Sequence, residues 1–512
     1  MTICILGAGM AGLTTATQLA ARGLHPVVLE AHQQALGGRL RDEPAHTLTQ
    51  QGQDWRFPAE HGVHGLWSPY VNLNALLEQH GIRPEQQPSR EEMWVYVRDQ
   101  RVRMAAIGSA MHRSPIPAPF HYLSLFLRPR FLAMLNPHDL LALFLVQGRL
   151  TSALAIDPLA EGKALDGMSL ADFMSGWSPA LRSLFAGLAR NALAAHPEDA
   201  PAAGFIAFLR FYTLMRRDAW KFNYLSGTGG KLICEPLAAR AQALGSDIRL
   251  GCRATRLEAV GEQWRVVYSD AQQQEQAILA ERVVLALDAP GAQQLLCDSP
   301  ELAAQATKLR FPKGVATAII RVWFNTTPAI KAESGICTGD VLVDNFFWLH
   351  ALQPAYRKWH QATGGSAAEL HIYDPPPASQ DETMLLAGAV ADMTRAFPEL
   401  RGHVLQTTLQ RNPAAHTLFT PGDPAFTLGV QTPWPGMLAC SDWIAHPNPS
   451  LYLERAVTTG MLAANLILAE CGLQPWPLHT HPAPERLAGA LARRLQGFRQ
   501  AQVAKRRMGE GA

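Results

Sequence analysis

The stretch Ile5–His32, ILGAGMAGLTTATQLAARGLHPVVLEAH, decides the fold. It continues a short β-branched run, Thr2–Leu6, into glycines at positions 7, 9 and 12. A helical pattern follows from Leu13 to Arg22, and Gly23 stops it. HPVVLE then reads as a second strand ending at Glu30. The whole is a β-α-β unit of the dinucleotide-binding kind. Each glycine has its own reason. Gly7 allows the tight turn out of the strand, Gly9 lets the backbone approach a pyrophosphate, and Gly12 lets the helix pack close to the sheet. The helix start at Met10 and Ala11 offers free N–H groups and a partial positive charge to phosphates. Glu30, with Ala31 beside it, sits where a carboxylate accepts from both ribose hydroxyls and disfavours a 2′-phosphate. The competing reading is a glycine-rich turn in an ordinary α/β core.

The bulk properties set limits. The chain has 512 residues, 48% hydrophobic and 17% charged, with a net charge of +2. That is enough for a large core, and the charge gives no argument for nucleic acid as a partner. The seven cysteines (4, 234, 252, 297, 337, 440 and 471) form no C-x-x-C pair. They are expected to be reduced thiols, and no metal site is expected. Residues 3–6 already read as a buried strand, which leaves no room for a signal peptide. No apolar run reaches the ~18 residues of a spanning helix.

Three downstream features narrow the ligand. LGGRLRD (Leu36–Asp42) brings two glycines and an arginine near the pyrophosphate site. DIRLGCRATRLEAVGEQWRVVYSD (Asp247–Asp270) followed by ERVVLALDAPGAQQLL reads as strand, hairpin, strand and helix start. PGMLACSDWIAHPNPSLYLERAVTTGMLAANLIL (Pro435–Leu468) reads as a strand ended by Asp442, then a helix from about Leu451 to Ala469. Ala456, Gly460, Ala463 and Ala464 give that helix a small face for close packing. Its N-terminus can stabilise negative charge on a reduced flavin ring. Asp442 can bond a ribityl or phosphate end.

With GAGMAG, GGR, VVLALDAP and SDW…YLERAVTTGMLAAN as anchors, residues 3 to about 469 resemble the FAD-dependent amine oxidase and phytoene (carotenoid) desaturase superfamily. EHGVHGLWSPYVNLNALLEQHGI (Glu60–Ile82) and DNFFWLH (Asp344–His350) look most like bacterial carotenoid desaturases, including the desaturase/methyltransferases that form aromatic rings. The resemblance implies an α/β fold: a Rossmann-like FAD domain interleaved with an α+β substrate domain of mixed sheet and helices. It implies FAD as cofactor, held non-covalently. Gly38 and Arg39 would then face the phosphates, Ala254 the adenine, and Gly62 and Leu453 the isoalloxazine. Tyr452 would turn toward the substrate. One departure is Ser441, which stands where the family's turn has glycine.

On this reading the FAD domain takes 1–88, 226–300 and 425–475, the substrate domain 89–225 and 301–424, and a basic helical tail 476–512. MWVYVRDQRVRM reads as a hairpin about Asp99-Gln100. VATAIIRVWF, DVLVDNFFWLH and AAELHIYDP read as strands, and helices fill most of 120–220. The final 28 residues carry seven basic and two acidic side chains. That tail and Phe120–Gly148 are candidates for peripheral contact with a membrane, against the alternatives of a docked solvated helix and a buried lid. The expected location is the cytoplasm, peripheral on the inner face of a membrane.

For the chemistry, FIAFLRFYTLM (Phe205–Met215) and DNFFWLH are candidate walls for an apolar substrate, although most such residues are plain core. His61, His64 and Tyr452 are candidates for proton transfer, and Glu60 for a backbone bond in its turn. An FAD oxidoreductase acting on an isoprenoid such as a carotenoid is the leading reading, by desaturation, isomerisation or ring modification. A flavin amine oxidase, with Tyr452 and Trp443 or Trp434 as an amine cage, is the second. A non-catalytic prenyl- or lipid-binding protein of the same fold is the third. The sequence leaves the oligomeric state open.

Overall fold

The computed structural model describes residues 1–161, 165–329, 332–377, 381–422 and 424–509. Ile3–Leu6 is buried along its whole length, as a strand covered on both faces must be. It is the centre of a five-stranded parallel sheet in the order 247–250, 27–30, 3–6, 282–285, 437–439. The strands come from three distant parts of the chain. Helix Met10–Ala20 crosses this sheet and is itself overlaid by helix Tyr452–Glu470. The two approach so closely that a Cβ on Gly460 would lie 2.6 Å from the Ala11 carbonyl oxygen. That contact is what the small face at 456–464 provides.

A seven-stranded mixed sheet forms the second layer, in the order 404–417, 314–324, 366–373, 345–348, 334–339, 92–98, 101–106. Side chains alternate across it with a period of two. Met93, Val95, Val97, Ala318, Ile320, Phe346, Leu370 and Ile372 join one buried cluster, together with helix Glu382–Ala396. The intervening positions face the other way, some of them (Thr317, Ile319, Phe347, His371, Tyr373) toward a cavity and others, such as Trp323 and Ala367, into a second buried cluster. The hairpin at Asp99-Gln100 closes strands Glu92–Arg98 and Arg101–Ala106, with both turn residues at positive φ.

Two strands of this sheet, Ser334–Gly339 and Val404–Thr417, escape the sequence reading. The second is largely polar and contains Pro413, which an edge strand tolerates because one row of its amides needs no partner. Between 108 and 214 the chain is mainly helical. Pro137–Ala155 is its longest helix there, capped by reciprocal bonds between Asn136 and Asp139. Helix Arg486–Gly509 packs beside it. Leu127, Leu141 and Leu145 nevertheless remain 73%, 70% and 57% exposed, so this region is not simply a buried lid. No helix among the described residues is long and apolar enough to cross a membrane.

Candidate active site

A cavity of about 1500 Å³ runs from the edge of the parallel sheet across the face of the mixed one. The glycine motif builds its first end. Gly7 has φ +103, and a Cβ there would meet the Ala286 carbonyl oxygen at 2.6 Å. Gly12 packs behind the cavity wall, where a Cβ would lie 2.0 Å from the Gly7 oxygen, so its role is close packing. Gly9 is different: the nearest atom to its would-be Cβ is the Gly38 Cα at 4.0 Å. It leaves a cradle beside the start of helix Met10–Ala20. No side chain caps that helix, and its first turn holds no acid. Among the described residues its first turn therefore meets the cavity with neither a side-chain cap nor an acidic countercharge, which suits an anion.

Around this end the cavity wall includes Met10, Ala11, Glu30, Ala31, Gly38 and Arg39, with Ala254 farther along. The Glu30 carboxylate accepts from the amides of Ala8 at 2.9 Å and His32 at 2.8 Å. Four lone-pair directions are available to it, so it keeps capacity for hydroxyl donors. Arg39 donates to Asp442 at 2.6 Å, joining the second glycine turn to the end of the last parallel strand. Asp442 also accepts from Thr417 at 3.2 Å and Ser441 at 3.3 Å. Burial works to raise its carboxyl, but Arg39, His416 and Thr417 bring it below the ordinary aspartate value. Ser441 is tucked against Thr459, to whose hydroxyl its amide donates at 3.1 Å.

Beyond Asp442 lie His61, Gly62, His64, His416, Tyr452 and Leu453. Gly62 passes over His371, whose Cε1 would be 3.0 Å from a Cβ there. His64 is held by Glu60 at 3.1 Å, and Glu60 also accepts from the Gly229 amide at 2.9 Å, a backbone bond to a distant segment and not within its own turn. Burial, helped by the neighbouring cationic side chains, keeps His61 well below the usual imidazole value. His416 is lowered to about 4, by burial first and then by Arg39. Both rings are therefore neutral at ordinary pH. The His416 Nε2 is buried without a partner among the described residues. Tyr452 has φ +55, a strained conformation for a non-glycine residue, and its hydroxyl is tied to the Ala192 carbonyl.

The mixed sheet supplies the cavity floor: Thr317, Ile319, Phe347, His371 and Tyr373. Beneath His371 the buried Glu369 accepts from it at 2.8 Å and from Arg321 at 2.8 Å. The opposite wall includes Trp67, Tyr70, Leu188 and Phe208. Sequence reading missed His371, Tyr373 and His416. The first two had a signal, since Glu369, His371 and Tyr373 alternate with Leu370 and Ile372.

The two candidate walls are mostly core, as expected, and the amine cage needs correction. Of Phe205–Met215 only Phe208 lines the cavity, and of DNFFWLH only Phe347 does. The rest is core, as alternation and helix packing require. The amine cage does not form. Trp443 donates to the Leu287 carbonyl at 2.9 Å and packs at a tilt against Phe311, and neither Trp443 nor Trp434 reaches the cavity.

A phosphate cradle at the head of a β-α-β unit, continuous with a largely apolar chamber, defines a dinucleotide-dependent redox enzyme. A model of the flavin containing amine oxidoreductases matches residues 10–468, and the chain belongs to that family. It is an FAD-dependent oxidoreductase. The chain is 25% identical over 511 residues to a carotenoid phi-ring synthase of Streptomyces griseus, covering 96% of this chain and 92% of that one. A second carotenoid phi-ring synthase, from Chlorobaculum tepidum, is 22% identical, with 93% and 90% covered. Cyclohexylamine oxidase of Brevibacterium oxydans shares the fold, with a TM-score of 0.65 at 16% identity and coverage of 92% and 99%.

Proposed function

We propose that this protein is a carotenoid oxidoreductase that modifies an end ring of a long apolar polyene, in the manner of the two phi-ring synthases it resembles. The observation that carries this reading is the chamber beside the flavin end. Its walls include Ile319, Phe347, Trp67, Tyr70, Leu188 and Phe208, whereas Trp434 and Trp443, the expected partners of Tyr452 around an amine, lie outside it. Such a surface holds a hydrocarbon by burial alone, and each buried methylene contributes about 0.8 kcal/mol.

In this reading 1–88, 226–300 and 425–475 form the FAD-binding body. The amides at Met10 and Ala11 and the open backbone at Gly9 would hold the pyrophosphate, Glu30 the adenosine ribose, and Ala254 would touch the adenine. Gly38 and Arg39 would meet the phosphates, with Arg39 kept in place by Asp442. Gly62, Leu453 and the start of helix Tyr452–Glu470 would flank the flavin ring. When bound, FAD accepts a hydride from a substrate carbon. The protein's part is to press that carbon against the ring and exclude water. His416, neutral and with its buried Nε2 unpartnered among the described residues, would offer a hydrogen-bond acceptor at this end of the chamber. Tyr452 is a positioning residue, since its hydroxyl is already committed to Ala192.

The reading includes a membrane-facing surface, through which so insoluble a substrate would be drawn. It is supported by the exposed Leu127, Leu141 and Leu145, near Arg128 and Arg130, and by the neighbouring basic helix Arg486–Gly509.

The test is anaerobic. FAD-loaded protein in detergent micelles is mixed with a β-ring C40 carotenoid, and separately with primary alkylamines. Bleaching of the flavin band by the carotenoid, with a product lighter by two hydrogens, is expected. Bleaching by amines and not by the carotenoid would overturn the proposal.

A further inference from the structure

The far end of the chamber holds a carboxyl group that a pure hydrocarbon does not need. Glu92 opens strand Glu92–Arg98 and lines the cavity. Alternation fixes its direction. Met93, Val95 and Val97 point into the cluster under helix Glu382–Ala396, so Glu92 shares the opposite face with Trp94 and Tyr96. Phe347 and Glu92 both pair with Ser334, so they lie two strand steps apart on the cavity face, about 10 Å.

The surrounding charges are satisfied without it. Glu91 takes the Ser109 hydroxyl and Arg128, and Arg90 pairs with Glu333. The Tyr224 hydroxyl donates to Ser334 at 2.9 Å. Among the described residues, no side chain or amide donates to the Glu92 carboxylate. His112, Arg113 and Lys221 complete this end of the cavity. Burial, with the like charge of Glu91, pushes the Glu92 carboxyl up to about 7. A protonated carboxyl offers one donor and spare acceptors.

We infer that Glu92 receives an oxygen-bearing group of the substrate, a hydroxyl or keto group held about 10 Å along the chamber from Phe347, and so sets a preference for oxygenated over plain hydrocarbon chains. This rests on the polyene reading above. A polar group of the cavity wall that a bound ligand covers without partnering penalises that ligand, which is how a site selects for a hydroxyl.

The test uses two probes, a C40 β-ring hydrocarbon and the same carotenoid with a hydroxyl on each ring. Binding to FAD-loaded protein is followed by the polyene absorption shift, and turnover is measured in parallel. Wild type is expected to favour the dihydroxy probe about tenfold. Glu92→Leu should abolish that ratio while leaving hydrocarbon binding equal or tighter. Glu92→Gln, which keeps donor and acceptor, should retain most of it. A ratio unmoved by Glu92→Leu overturns this inference alone. Wild type that binds neither probe overturns the polyene reading and this inference together.

Discussion

Gly9→Ala separates the cofactor cradle from the fold that carries it. Gly9 has an ordinary φ of −78°, and a methyl there would meet nothing nearer than 4.0 Å. The protein without cofactor should therefore accept it. As an N-cap change from glycine to alanine it costs about 0.5–1 kcal/mol. In a chain of this length that lowers Tm by about 1 °C. The same methyl occupies the space through which a pyrophosphate reaches the amides of helix Met10–Ala20. Losing two charge-assisted hydrogen bonds at about 1.5 kcal/mol each weakens FAD by roughly a hundredfold. Gly12→Ala is the control, because its methyl would lie 2.0 Å from the Gly7 oxygen, between backbone segments that cannot give way. It should cost about 3 kcal/mol or more in stability with or without FAD. The assay is thermal melting of deflavinated protein, with FAD titrated by quenching of its fluorescence. A Gly9→Ala protein that melts normally and binds FAD within about threefold of wild type would refute the placement of the phosphates.

Asp442→Asn keeps the shape of the Arg39 contact but removes its charge; FAD content after gel filtration should fall, and full retention would exclude a role for the pair. Arg321→Met leaves Glu369 buried without its main countercharge, and urea unfolding should show a loss of about 3–5 kcal/mol. Acid should destabilise the protein in two windows. The His46 and His416 imidazoles are depressed to about 4, so the unfolded chain takes up their protons first as pH falls below 6.5, and stability declines from there toward 4. Glu369 is lowered to about 2, the Arg321 and His371 partners outweighing the burial that would raise it. Its contribution is present above pH 4.5 and is lost as pH falls toward 2. A flat urea midpoint between pH 7 and 4 would contradict the first window. Leu127→Asp with Leu141→Asp should reduce co-sedimentation with anionic vesicles while leaving FAD content unchanged, and unaltered sedimentation would remove that surface from the membrane reading.

The cofactor end was legible because its constraints are local in sequence. A tight turn, an open cradle and a close helix contact each require glycine, and they fall within six residues of one another. Glu30 follows from the length of one helix and one strand. Asp442 and helix Tyr452–Glu470 were recognisable because they repeat the strand-then-helix pattern far downstream. The substrate floor was legible only in part. Its strand Val404–Thr417 carries His416 at the sheet edge, where polar residues and a proline are tolerated, so hydrophobic pattern gives no signal. Trp443 misled for the opposite reason: it is large, aromatic and adjacent to Asp442, yet its indole N–H found a carbonyl in the core.

The mixed sheet explains why one scaffold can serve both amines and polyenes. Every second residue of its strands belongs to a fixed core, and those alternate residues that line the cavity can differ without disturbing that core. In this chain those free positions read Thr317, Ile319, Phe347, His371 and Tyr373 near the flavin end, with Glu92 at the far edge. The chemistry available to the enzyme is therefore written in a row that runs across the strands. A change such as Phe347→Tyr leaves the fold's own pattern intact, because Phe346 and Trp348 still point into the cluster beneath. It would place a hydroxyl in the middle of a hydrocarbon track, where an unpaired group costs about 1–3 kcal/mol. Carotenoid binding should weaken accordingly, with no change in FAD content or Tm. If affinity were unaffected, the polyene would have to lie away from the sheet, along the wall of Leu188 and Phe208.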